Sequence, residues 1–147
     1  MLLLLILLFT PLSSPTNFNF TVNLICRDSV THASLNNWCY KIWIKDISDS
    51  WILKWPDGLI ADSRTKCTDQ MFESFELKSD YYNDAYNYNI FTSIVHNCTT
   101  NGRPLNRTRP YSIVDTDYNH LTLNAQLFDD GSVLKSKPRN NSVITIS

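Results

Sequence analysis

From Phe18 the chain alternates. Phe18, Phe20, Val22, Leu24 and Cys26 share one phase, and Asn17, Asn19, Thr21 and Asn23 take the other. A period of two is the signature of a half-buried β-strand, and it turns Asn19 outward. Residues 27–37 are polar and read as a loop. Residues 39–46 form a second strand, with Tyr40, Ile42 and Ile44 inward and Lys41, Trp43 and Lys45 on the opposite face. Cys39 shares the outward phase, so a bond from it belongs at the strand's start or outside the core. Residues 48–58 read as a loop with an aromatic packing edge at Trp51 and Trp55. Residues 59–67 make a weak third strand. Phe72, Phe75 and Leu77 mark a fourth, with a β-bulge because Phe72 and Phe75 are out of phase.

Residues 78–87 are rich in Tyr, Asn and Asp and read as a loop. The strand that follows, from Tyr88, ends abruptly in His96-Asn97-Cys98, and residues 99–104 form a polar turn. Residues 111–114 give a short strand started by Pro110, and residues 121–127 give the last clear one. From Asp129 the chain is polar, and the expectation is a poorly ordered tail. Its alternation at residues 143–146 fits a short strand and disorder equally. No stretch longer than about ten residues has helical periodicity. Short strands between turn-rich loops imply an all-β fold, a two-sheet β-sandwich of about seven or eight strands.

At 147 residues the chain is long enough for one domain with one core. Its first nine residues are apolar and break at Pro11-Leu12-Ser13-Ser14, the layout of a secretory leader over residues 1–14. That run falls well short of the roughly 20 residues a membrane-spanning helix needs. Residues 17–128 are then the sandwich domain and 129–147 the tail. The net charge of −1 comes without a block of like charges. That pattern excludes a nucleic-acid footprint and a polybasic membrane patch.

Secretion gives the four cysteines a meaning. Cys26, Cys39, Cys67 and Cys98 form an even set that suggests two disulfides in an oxidising compartment, with three pairings open. No Cys-x-x-Cys or His-x-x-x-His pair occurs, so neither a metal nor a cofactor is expected. Glycosylation sequons stand at Asn19, Asn97, Asn106 and Asn140. At Asn97 the middle residue is Cys98, whose early oxidation would hinder the transferase.

His96 is the residue most suggestive of catalysis. A hydrolase needs a nucleophile and a base oriented by a third group, and no such local signature appears. The expectation is a non-enzyme in which His96 hydrogen-bonds backbone at a strand end. His32 and His120 lie in loops without partner spacing. Tyr81, Tyr82 and Tyr86, set among Asn and Asp, have the composition of an adaptable binding loop. Trp51 and Trp55, with Trp43, could form a second aromatic patch. The competing reading has the tyrosines cover the sandwich end and the tryptophans pad a sheet edge.

The ordered set of motifs resembles the nematode transthyretin-like secreted proteins. Leu24-Ile25-Cys26 is similar to that family's Leu-x-Cys strand end, and residues 40–46 to its aliphatic-lysine strand ending in an acid. Thr68-Asp69 and Phe75-Glu76-Leu77 match its Thr-Asp and Phe-Glu-Leu elements. The most specific likeness is Ile94-Val95-His96-Asn97-Cys98 to a strand ending His-Asp-Cys, and residues 121–127 resemble its closing strand. The likeness spans residues 22–128. It departs at the missing Gly before Phe-Glu-Leu, the longer loop after Cys26, and the cysteine positions. The resemblance implies a transthyretin/prealbumin-like sandwich whose strands run up and down. That topology brings Cys39 to Cys67 and staples Cys26 to Cys98 across the sheets. The chain lacks the Tyr-Arg-Gly-Ser ending of transthyretin-fold hydrolases of 5-hydroxyisourate, and hormone carriage does not transfer with a fold. The implied role is extracellular binding of a protein or lipophilic ligand, with a cell surface as one setting. A small hydrolase and a host-directed effector are the alternatives.

Overall fold

The computed structural model describes residues 16–33, 35, 37–47, 58–81, 87–115 and 120–134. Nine strands follow one another in these residues: β1 (Thr16–Ile25), β2 (Trp38–Asp46), β3 (Leu59–Asp62), β4 (Lys66–Thr68), β5 (Phe72–Tyr81), β6 (Asn87–His96), β7 (Leu105–Asp115), β8 (His120–Gln126) and β9 (Ser132–Val133). They form two sheets. The smaller has the order β5-β1-β8, with β1 antiparallel to β5 and parallel to β8. The larger has the order β3-β2-β6-β7-β9, and β4 also pairs with β2. The protein is an all-β sandwich, and no described helix is long and apolar enough to cross a membrane.

The inward phases meet as the alternation requires. Phe18, Phe20, Val22 and Leu24 from β1 share one core with Tyr40, Ile42 and Ile44 from β2 and Tyr88, Ile90 and Ile94 from β6. Aromatic pairs knit the layers: Phe18 meets Tyr88 edge-on with centroids 5.0 Å apart, and Tyr40 stacks on Phe75 at 5.7 Å. Burying each such side chain stabilises by roughly 1.5–3 kcal/mol. Two disulfides complete the frame. Cys26–Cys98 joins the end of β1 to the residues just after β6, linking the two sheets through sulfurs that no solvent reaches. Cys39–Cys67 lies within the larger sheet, between directly paired residues of β2 and β4. These are the bonds that the resemblance implies.

Several expectations need correcting. The third strand is two, β3 and β4, because the chain breaks at Ser63, which exchanges hydrogen bonds with the backbone of Ile42. No bulge occurs in β5: its register with β1 runs unbroken from Phe72 to Tyr81. Phe72 instead faces solvent, while Glu73 takes the inward position opposite Leu24. The expected loop at residues 78–87 is strand as far as Tyr81. There β1 extends back to Thr16 and offers a backbone ladder, which outweighs a polar side-chain composition. Strand β7 begins at Leu105, and Pro110 sits within it where the ladder to β6 shifts register, so its missing N–H breaks no regular pair. His120 is not in a loop but opens β8.

The sandwich also continues past residue 128. Asp129 and Asp130 enter a turn, and β9 then pairs with Leu105 and Asn106 of β7. Gly131 makes this return possible, since its φ of 143° is a glycine conformation and a Cβ there would lie 2.9 Å from the Asn106 carbonyl oxygen. Residues 1–14 and 135–147, including the alternating stretch at 143–146, lie outside the described residues.

Candidate functional site

The outward phase of the larger sheet carries three rows of side chains. Across β2, β6 and β7 they read Lys41–Val95–Asn106, Trp43–Ser93–Thr108 and Lys45–Phe91–Pro110. The turn at Gly102 and Pro104 and Leu134 beyond β9 add walls to this face. The result is a cavity of about 740 Å³, a size typical of small-molecule sites. Trp43, Phe91, Val95, Pro104 and Leu134 supply apolar wall. Lys41, Asn97 and Asn106 gather polar atoms at one end. Lys41 bends its ammonium over the Trp43 ring, 4.8 Å from the centroid, where the π-face attracts it. Trp43 and Phe91 are half-buried, whereas Val95 is only 8% exposed.

The groove borders two of the sequons. The Asn97 side-chain oxygen accepts from the Cys39 N–H at 2.6 Å, and the Asn106 side-chain oxygen accepts from the Ser93 hydroxyl at 2.9 Å. In the first sequon the hydroxyl residue, Thr99, is buried and donates to the Arg103 carbonyl at 3.0 Å. Asn19 is half-buried in β1, at the centre of the smaller sheet. Asn140 lies outside the described residues, as do Trp51, Trp55, Tyr82 and Tyr86. Tyr81 closes β5 opposite Thr16.

Beneath the groove, on the inner face of the same sheet, His96 is fully buried. Its Nε2 lies 2.8 Å from the Asp130 carbonyl oxygen, which can only accept, so in the neutral ring the proton sits on Nε2. Nδ1 is buried with no hydrogen-bond partner in the described residues. Burial lowers the imidazole's pKa, aided by the Arg107 charge and opposed by the Asp130 carbonyl and the charges of Asp130 and Asp129. Arg107, itself buried, donates from Nε to the Asp130 carboxylate at 2.6 Å. His96, Arg107 and Asp130 thus anchor the β9 turn.

A second buried polar group bridges the sheets. Glu73 takes a 2.6 Å ion pair from Lys66. Burial pushes this carboxyl up, but hydrogen bonds from Lys66 and Thr68 and the Lys66 charge outweigh it and hold the pKa below the usual range. Burial first, and then the Glu73 charge, pushes the Tyr40 hydroxyl up. His120 donates or accepts at Thr21, 3.0 Å away, on the outer face of the smaller sheet, and His32 lies in an exposed turn. Among the described residues no cluster of His, Cys, Asp and Glu could hold a metal.

Sequence reasoning placed Lys41, Trp43 and Lys45 on the outward face but did not join them to Phe91 and Val95. The signal was present. Strand β6 reads Ile90-Phe91-Thr92-Ser93-Ile94-Val95, with large apolar residues in both phases. A strand apolar on both faces is one whose second face is also covered or lines a site.

The chain matches the family described as "Caenorhabditis elegans protein of unknown function (DUF870)" over residues 21–138, from within β1 to beyond β9, and it belongs to that family. The description names no transthyretin-like protein. No curated protein matches the chain. Among solved structures it is similar to an alternative pilotin from the type II secretion system of Vibrio cholerae. That likeness has 19% identity and a TM-score of 0.47, and covers 75% of this chain and 96% of the pilotin. It is also similar to part of a 9R-lipoxygenase from Cyanothece, with 17% identity and a TM-score of 0.34, covering 77% of this chain and 16% of the lipoxygenase.

Proposed function

We propose that this member of the DUF870 family is a secreted, disulfide-stapled binding protein whose ligand is lipophilic and lies in the outer groove of the larger sheet. The observation that carries the reading is the cavity itself: a concave site of about 740 Å³ with Trp43, Phe91, Val95, Pro104 and Leu134 in its walls. Apolar surface in a concavity of that size gains free energy by expelling water onto a ligand, at about 25 cal/mol per Å² covered. Secretion is supported by the apolar leader and by four cysteines all paired in two disulfides. Kinship with the transthyretin-like proteins belongs to the same proposal. Its support is the cysteine pairing and the order of strand-end motifs. Sugars on Asn19, Asn106 or Asn140 fit the same compartment, and one on Asn106 would stand at the groove's polar end.

The test is calorimetric titration of purified protein with dodecanol, a neutral single-chain lipid probe. Saturable binding is expected, lost in Trp43→Ser/Phe91→Ser and kept in Thr21→Ala on the opposite face. Absence of binding by the wild type, or equal binding by the groove variant, would sink the reading. Secretion is checked separately, by whether the full chain expressed in animal cells reaches the medium with oxidised cysteines.

A further inference from the structure

Charge along the groove narrows the ligand's chemistry. We infer that the groove takes a free long-chain fatty acid, with its carboxylate at Lys41 and its alkyl chain over Trp43 and Phe91. This rests on the reading of the groove as a lipophilic site and adds the class of head group and its position.

Among the described residues of the cavity wall, both charged ones, Lys41 and Lys45, are cations, and none is a carboxylate. Among the described residues neither lysine forms an ion pair, although Lys66, Lys78, Arg107 and Arg109 all do. Asp62, opposite Trp43 on β3, forms an ion pair with neither lysine and is not among the residues that line the cavity. A half-buried ammonium without a counter-ion, beside apolar wall, is a site whose missing partner is an anion. Lys41 is the better placed of the two. It shares a row with Val95 and Asn106 and a face with Asn97, so the polar atoms of the groove converge around it. Its bend over Trp43 also draws its charge toward the cavity. Lys45 stands roughly 13 Å further along β2, in the row of Phe91, where the alkyl chain would lie. The chemistry on offer is therefore one anionic head and one apolar tail, an amphiphile entering singly.

Titration of the full chain with dodecanoate and with dodecanol, both below their aggregation limits, tests this. Dodecanoate should bind about tenfold more tightly, the factor expected for one charge-assisted hydrogen bond. The advantage should shrink in high salt and vanish as the pH falls through the carboxylic-acid range. Lys41→Met should erase the difference, and Lys45→Met should leave most of it; both are surface changes, and unchanged melting temperatures verify folding. Equal affinity for acid and alcohol overturns the carboxylate assignment but leaves the groove a lipophilic site. Loss of the difference in Lys45→Met rather than Lys41→Met overturns the head-group position. Binding to neither probe overturns both readings. Binding to phosphatidylserine vesicles without binding to monomeric dodecanoate also overturns the inference, because it makes the face a membrane-docking surface.

Discussion

The two sheets have the same kind of inner face and opposite outer faces. Inside, both present Phe, Ile, Leu, Val or Tyr to a shared core. Outside, apart from the Ile25–Phe72 pair at one end, the smaller sheet presents polar residues on all three strands. The Ser74 hydroxyl donates to the Asn23 side-chain oxygen, and the Asn23 amide donates to Asn124 at 2.8 Å, so one chain of hydrogen bonds crosses β5, β1 and β8. The larger sheet puts Trp43, Phe91 and Val95 in the equivalent positions, where they line the cavity. A sheet face that meets only water is polar in the outward phase, as β1 is from Asn17 to Asn23. Strand β6 abandons that alternation. This difference between the faces, more than any single residue, is what supports the proposal of a ligand groove on the larger sheet.

The greatest loss should come from separating the sheets. Cys26–Cys98 spans 72 residues and links them, whereas Cys39–Cys67 spans 28 within one sheet. Chain entropy alone gives about 4.4 kcal/mol for the first loop and about 3.6 for the second. Cys26 and Cys98 are also fully buried, so their removal leaves unfilled space in the core. In urea unfolding, Cys26→Ala/Cys98→Ala should therefore be the less stable double variant, losing about 4–5 kcal/mol. Equal loss from Cys39→Ala/Cys67→Ala would mean that the sheets hold together without the staple.

Two histidines sharpen the same contrast. His96 is buried under the larger sheet, and His120 is exposed on the smaller one. His96→Ala should cost about 3 kcal/mol, through lost volume and an Asp130 carbonyl left without its donor. His120→Ala should stay within about 0.5 kcal/mol. The pH dependence has a definite sign. Burial lowers the His96 pKa in the folded protein, so below the ordinary value of 6.5 the unfolded chain takes up a proton that the folded one refuses. The contribution is complete above pH 6.5 and declines as the pH falls from there toward the depressed folded value, at up to about 1.4 kcal/mol per pH unit. Glu73, whose pKa is lowered, loses its contribution only below the ordinary carboxylate range and leaves this window clear. Denaturation at pH 7 and pH 5.5 should show the decline in the wild type and lack it in His96→Gln.

The sequence declares such features unevenly. The inner faces of β1 and β2 were legible because local alternation and burial agree there. The ends of strands were not. Lys78 to Tyr81 is polar, yet it is strand because β1 supplies a ladder for it. Glu73 faces inward because Lys66, distant by seven residues, reaches back to pair with it, and no periodicity reports that. His96 could be assigned to a strand end, but its partner Asp130 lies in a stretch whose polarity suggested a loose tail. The groove was half visible: Trp43 was placed outward, but Pro104 and Leu134 lie beyond strand ends, where their position depends on tertiary pairing.

On the outer faces the effects on stability should be smaller and their kind should differ. Phe91→Ser removes a half-buried ring from an open face and should cost about 1 kcal/mol, well below the roughly 2–5 kcal/mol expected for Ile94→Ala on the inner side of the same strand. Its consequence should be loss of dodecanol binding. A cost close to that of Ile94→Ala, seen in thermal melts, would show that Phe91 is core rather than groove wall.

The smallest change expected is at Asn124. Asn124→Ala deletes the last acceptor in the chain from Ser74 through Asn23, a neutral bond on an exposed face. Because water can take the vacated place, the cost should be about 0.5 kcal/mol rather than the 1–3 kcal/mol of a buried donor left unpaired. Ser74→Ala should behave alike, and the double variant should lose little more than the sum, since each bond is already in competition with solvent. Urea unfolding of the three variants decides the matter. A loss above about 1.5 kcal/mol for Asn124→Ala would mean that water does not reach this face and that something covers it. The smaller sheet would then be a contact surface too, and the contrast between the two outer faces would be one of ligand chemistry, polar against apolar, instead of idle against occupied.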